Sequence, residues 1–161
     1  MGVRGLYMII TLIGMPATGK STFGRKLAKK LAYEFIDLDV WISTHEQKSI
    51  PEIFAQKGEE YFRKLESQAL KEVLKGDYKV IALGGGTPCF FDNMLIINEK
   101  SISIYLYTSL EGLLTRITRD TAQSRPLFKA QSLEETHQKI TNLYAQRRSF
   151  YEQAKIKLDL E

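Results

Sequence analysis

The run Gly14-Met15-Pro16-Ala17-Thr18-Gly19-Lys20-Ser21 holds most of what is needed to grip a chain of phosphates. Glycines let the backbone curl until successive N–H groups face one point. The apolar, β-branched run Met8 to Ile13 precedes it, and Phe23, Leu27 and Leu31 follow at four-residue spacing. The loop therefore joins a buried strand to a helix whose N-terminal dipole adds positive potential. In that setting the pattern G-x-x-x-x-G-K-[ST] places Lys20 at the β- and γ-phosphates of ATP and the Ser21 hydroxyl on Mg²⁺. Pro16 lacks an N–H, so the phosphate donors come from Ala17 onward. A chance lysine in an ordinary glycine turn is the bland alternative, and the strand–loop–helix context speaks against it.

Asp37 and Asp39 flank Leu38 at the end of a second short strand, Phe35 to Leu38. Two residues apart on an extended segment, both carboxylates can point past the strand's C-terminal end, the edge where open α/β sheets bind ligands. One can hold Mg²⁺ through water and the other can accept a proton from an attacking hydroxyl; alternatively Asp39 only caps a helix starting at Val40. Gly84-Gly85-Gly86 ends another strand, Tyr78 to Leu83. Three glycines in a row suit either a tight turn or the close approach of a ligand, with the ligand favoured. Arg147 follows Ile140, Leu143 and Tyr144 by seven, four and three residues and precedes Tyr151 by four. Those spacings put it in a helix's apolar stripe, where it either meets an anion or snorkels to the rim. Arg63 and Glu66 are placed to pair on one helix, most simply at the surface. Arg125 is either an exposed charge or a cation delivered by a closing loop. His45, His137 and Cys89 match no metal-ligand spacing; the histidines read as surface residues on helices and the cysteine as an incidental thiol.

These residues need a frame that alternates strands and helices. Ser49 with Glu52 and Ser132 with Glu135 are capping-box signals. The first opens a helix that Gly58 stops; Phe62, Leu65, Ala69 and Val73 stripe a longer one ending near Gly76. Ser101 to Tyr107 alternates as a strand, Leu110, Leu113, Leu114 and Ile117 stripe a helix, and Ile156 with Leu158 mark a last edge strand. Residues 120–131 show no periodicity and read as a mobile lid loop. The expectation is one α/β domain over 1–161, with a mainly parallel five-stranded sheet and helices on both faces.

The chain has 161 residues, 43% hydrophobic and 26% charged, with a net charge of +4. Its basic residues are scattered, which suits small anions better than nucleic acid. Cys89, the sole cysteine, precludes an intrachain disulfide and fits a reducing cytoplasm. No apolar run approaches the ~20 residues of a membrane span. Leu6 to Ile13 leads into the glycine loop rather than a cleavage site, unlike a signal peptide.

With these residues in hand, the chain resembles the shikimate kinases from about Ile9 to Asp159. The ordered set carries the resemblance: the phosphate loop, D-x-D at Asp37 and Asp39, F-R-x-x-E at Phe62, Arg63 and Glu66, the triple glycine, R-P-L at Arg125 to Leu127, and R-x-x-x-Y at Arg147 and Tyr151. The resemblance implies a three-layer P-loop kinase, monomeric and cytoplasmic, with a substrate segment near 40–66 and a lid near 120–131. It implies ATP and Mg²⁺, with Gly14, Ala17, Thr18, Gly19, Lys20, Ser21 and Thr22 around the phosphates and Asp37 a water-mediated metal contact. Asp39 would bind ring hydroxyls and act as base toward the 3-hydroxyl. Arg63 and Arg147 would clamp the shikimate carboxylate, with the backbone of Gly84, Gly85 and Gly86. Arg125 would meet the transferring phosphoryl group, Arg119 would stack on adenine, and Ile50 and Phe54 would form an apolar wall. The product would be shikimate 3-phosphate, in aromatic amino-acid biosynthesis.

Two features depart from the family's pattern. Ala17 stands where glycine is usual, which the loop tolerates if φ there is negative. The family also continues past the last strand through an adenine-contacting turn and a terminal helix. Other small-metabolite or nucleoside monophosphate kinases share the phosphate loop and lid arginine, but Arg63 with Arg147 suits a carboxylate. A nucleotide-sensing module without phosphotransfer is a further reading; RNA binding is weaker, since no aromatic–basic platform is present.

Overall fold

The computed structural model describes residues 8–122 and 132–160, and in it the apolar runs become five parallel strands. These are β1 (Ile9–Ile13), β2 (Glu34–Asp37), β3 (Lys79–Ala82), β4 (Ile102–Tyr107) and β5 (Ile156–Asp159), in the spatial order β2-β3-β1-β4-β5. Parallel neighbours need crossovers, and helices supply them: α1 (Lys20–Leu31), α2 (Leu38–Glu46), α3 (Ile50–Val73), α4 (Asn93–Lys100), α5 (Leu110–Ala122) and α6 (Leu133–Tyr151). The period of two along each strand divides the core. Leu12, Val80 and Leu106 face Ala28 and Leu27 of α1, while Ile13, Ile81 and Tyr105 face the residues of α3 to α6. The fully buried Leu12, Ile13, Ile81 and Leu106 each contribute about 1.5–3 kcal/mol, so burial on both faces fixes the sheet.

Local signals set the helix ends. At α3, Ser49 accepts from Glu52 N–H and the Glu52 carboxylate accepts from Ser49 N–H, completing the expected capping box. Gly58, at φ 84 and ψ 170, interrupts the helix as expected, but a second helical segment resumes at once, giving a kinked α3. At α6, Ser132 accepts from Glu135 N–H, the first bond of the expected box. From the sequence no element is expected over α4, whose eight-residue stripe is short and follows a 3₁₀ turn at Thr87–Cys89. The α5 helix runs to Ala122, further than the expected loop boundary. The rest of that lid segment, with Arg125, lies outside the described residues. No helix among the described residues is long and apolar enough to cross a membrane.

The D-x-D expectation needs correction. β2 ends at Asp37, and helix α2 begins at Leu38 because the Asp37 carboxylate accepts the Val40 N–H as its N-cap. Asp37, not Asp39, is therefore the capping residue, and Asp39 sits in the helix's first turn rather than on an extended strand. Both still project beyond the strand ends, because β2, β3 and β1 finish at the same edge of the sheet.

Candidate active site

A cleft of about 300 Å³ opens where β1, β2 and β3 end, and the phosphate loop forms one of its walls. Two loop glycines are required by geometry. A Cβ on Gly14 would lie 2.7 Å from the Leu106 carbonyl of β4, and Gly19 takes φ 85 as the N-cap of α1. Ala17 also takes a left-handed φ, 66, so the negative angle that would make alanine harmless there is not met. A side chain there costs about 1 kcal/mol, which explains why glycine suits this position. Thr18 does not face the cleft: it is buried, and its hydroxyl donates to the Met15 carbonyl, bracing the loop from within. Thr22, Ser21 and Lys20 line the cleft at the helix N-terminus.

Lys20 Nζ donates to the carbonyls of Gly14 and Met15, each at 2.8 Å. Burial pulls its ammonium down to about 8, a shift that Arg147 deepens and the carboxylates of Asp39 and Asp37 oppose. Ser21 Oγ donates to Asp37 Oδ2 at 2.7 Å, so a hydroxyl and a carboxylate meet at the foot of the loop. These are hard oxygen donors, and a divalent cation that keeps several waters and takes phosphate oxygens suits them. No cluster of three or more histidine, cysteine or acidic side chains fit to cage a metal occurs among the described residues.

Across the cleft, Asp39 is pushed up to about 6, first by desolvation and then by the charges of Asp37 and Glu66. Water in the open cleft screens part of that repulsion, and a filled cleft restores it. The triple glycine meets the charged side chains at close range. A Cβ on Gly84 would lie 3.2 Å from Asp39 Oδ1, one on Gly85 would lie 3.0 Å from an Arg147 guanidinium nitrogen, and one on Gly86 would lie 2.7 Å from Arg63. None of the three has a positive φ, so close approach, not turn geometry, explains the glycines.

Arg63 is not the surface residue of the simplest reading. Its side chain is 11% exposed, it donates to Glu66 Oε1 at 3.0 Å, and Glu66 itself is buried. The guanidinium also lies 4.2 Å from the Phe90 ring centroid and 5.3 Å from that of Phe62. Glu66 accepts from Thr87 Oγ1 at 2.8 Å, and Asn93 donates to the Thr87 carbonyl while accepting from Ser67. A charge so enclosed needs each of these partners. Arg147 stands half-buried beside Gly85, with Arg148 exposed as expected. Phe54 packs against Phe62, ring centroids 4.7 Å apart, and Ile50 joins the same core.

Lys20, Ser21, Asp37, Asp39, Arg63, Arg147 and the triple glycine are thus brought together. Arg119 is not among them; it is exposed near the end of α5, lining a separate hollow with Ser109 and Arg116. Arg116, which carries no distinguishing spacing in the sequence, instead reaches the phosphate loop and donates to the Ala17 carbonyl at 3.3 Å. His45 is exposed and stacks on Trp41, but His137 is half-buried against Thr118, deeper than expected. Burial pushes the Cys89 thiol up to about 11, consistent with an inert role.

Comparison with known proteins gives concordant results. The shikimate kinase family model matches residues 16–161. A shikimate kinase of Parabacteroides distasonis is 40% identical over 152 residues, covering 94% of this chain and 87% of its own. The crystal structure of the Bacteroides thetaiotaomicron shikimate kinase superposes with a TM-score of 0.88 at 36% identity, covering 94% of this chain and 86% of its own. The Acinetobacter baumannii shikimate kinase in complex with shikimate gives 0.84 at 34% identity, covering 97% and 85%.

Proposed function

Since the chain belongs to the shikimate kinase family, we propose that its cleft moves the γ-phosphoryl group of ATP to the 3-hydroxyl of shikimate. The observation that carries this reading is the convergence of Arg63 and Arg147 on Gly85 and Gly86, opposite Lys20 and Ser21. Two guanidinium groups beside close-packed backbone suit a carboxylate, and a charge-assisted bond there contributes about 1.5–3 kcal/mol. Anchoring that carboxylate leaves the ring hydroxyls to face Asp39.

The nucleotide phosphates lie on the loop, where Lys20 exchanges its two carbonyl partners for phosphate oxygens. That exchange restores full charge to an ammonium that burial depresses. Ser21 and Asp37 would hold Mg²⁺, which when bound neutralises phosphate charge and orients the β- and γ-groups. Asp39 accepts the proton of the 3-hydroxyl as that oxygen bonds to γ-phosphorus and the bond to ADP breaks. A carboxylate near 6 remains ionised at neutral pH yet is a stronger base than an ordinary aspartate. Little covalent chemistry falls to the protein; positioning and charge neutralisation carry the rate. On this reading one domain holds both substrate sites.

The test is the shikimate KM of Arg63→Ala and Arg147→Ala variants under saturating ATP. Each should rise at least tenfold with ATP KM near wild type. An unchanged shikimate KM in both would remove the carboxylate clamp from the account.

A further inference from the structure

The glycine turn satisfies its carbonyls one by one. Gly84 O accepts from Thr87 N–H at 3.1 Å, Gly86 O from Cys89 N–H at 3.0 Å, and Thr87 O from the Asn93 side chain at 2.8 Å. Each of those donors comes from the turn itself or its neighbour. Gly85 O depends on a distant element: it accepts the hydroxyl of Tyr151, at the end of α6, at 2.5 Å. The Gly85 and Gly86 N–H groups donate to nothing among the described residues.

Rotation of the Gly85–Gly86 peptide turns on ψ of one glycine and φ of the next, so side-chain sterics give it no lock of its own. In a planar trans peptide the carbonyl and the following N–H point in opposite directions. Holding Gly85 O therefore holds Gly86 N–H pointing the other way. Tyr151 is suited to this task. It is fully buried, its ring packs on Tyr105 with centroids 5.2 Å apart, and burial holds its hydroxyl as a proton donor well above the usual range. The same hydroxyl lies 3.7 Å from Met15 Sδ in the phosphate loop, with the Arg147 guanidinium beside it.

We propose that Tyr151 is a positioning residue, whose hydroxyl, by gripping the Gly85 carbonyl, aims the Gly86 N–H at the carboxylate of the acceptor. The proposal rests on the carboxylate-clamp reading and adds a residue that touches no substrate. Removing the hydroxyl leaves a half-buried carbonyl without its protein donor, and the glycine peptide is free to turn toward another partner.

The test compares wild type with Tyr151→Phe in the full chain, using shikimate and the alcohol obtained by reducing its carboxylate. Wild type should favour shikimate over the alcohol strongly. Tyr151→Phe should raise shikimate KM about tenfold, leave ATP KM within twofold, and change KM for the alcohol little. A second readout avoids reliance on kinetics: the Gly86 amide proton should move downfield when shikimate binds wild type and should not in the variant. A lower melting temperature with unchanged shikimate KM, or a Gly86 amide that responds equally in both proteins, overturns the positioning role. A wild type that treats shikimate and the alcohol alike overturns the clamp reading instead.

Discussion

Replacing Gly86 by alanine perturbs the acceptor site without straining the backbone. Gly86 has φ −90 and ψ −12, a conformation alanine adopts freely. The added Cβ, however, would lie 2.7 and 2.8 Å from the two terminal nitrogens of Arg63 and 3.0 Å from the carbon between them, where ordinary contact begins at 3.4 Å. The guanidinium would have to retreat by roughly 1 Å, a displacement that can cost on the order of 100-fold in an organised site. It cannot swing away cheaply, since Glu66 holds it at 3.0 Å and the Phe90 ring covers it at 4.2 Å. The expected result is a 10- to 100-fold rise in shikimate KM, with ATP KM within twofold and kcat reduced only a few-fold. Initial rates of ADP release at saturating ATP and varied shikimate measure this, with a thermal melt to show the fold intact. A shikimate KM within twofold of wild type would show that Arg63 does not set acceptor affinity.

Three further outcomes follow from the same geometry. Lys20→Met should abolish turnover yet raise the melting temperature of the nucleotide-free protein at pH 7. Its folded-state value of about 8 lies below the ordinary 10.5, so the burial cost is full below pH 8 and fades as pH climbs toward 10.5. That cost is up to about 3 kcal/mol, less what the two carbonyl bonds return, and a lower melting temperature would refute it. In the pH profile of kcat/KM for shikimate at saturating ATP, where the phosphates keep Lys20 charged, activity should climb through about pH 6 as Asp39 ionises and then level off; Asp39→Asn should lose both that limb and most of the rate, and a profile flat from pH 5 to 7 in wild type would exclude Asp39 as base. Ala17→Gly should relieve the left-handed strain at φ 66 and stabilise the nucleotide-free fold by up to about 1 kcal/mol; a lower midpoint in urea unfolding would count against it.

The phosphate loop was legible because its chemistry is local: a strand, a curl of backbone and a helix start are neighbours in sequence as well as in space. The layered α/β fold followed for the same reason, from the alternation of short apolar runs with amphipathic ones. Arg63 was harder, because Phe90, which covers it, and Thr87, which braces its helix partner Glu66, come from the turn after β3, and helical spacing alone suggests a surface ion pair. The D-x-D geometry is less legible, since a helix N-cap and a strand end compete for the same residue, and Asp37 serves both. Arg116 and Tyr151 act through long-range bonds to Ala17 and Gly85 that no periodicity encodes. The triple glycine announced that something approaches closely, but only packing reveals that Asp39, Arg147 and Arg63 are what approaches.

The most direct test of the central claim is ADP release from ATP·Mg²⁺ with shikimate, beside gluconate and AMP as competing acceptors. The account predicts turnover with shikimate alone, and phosphate on its 3-hydroxyl. ATP binding without acceptor-dependent turnover, or turnover with AMP or gluconate instead, would contradict it.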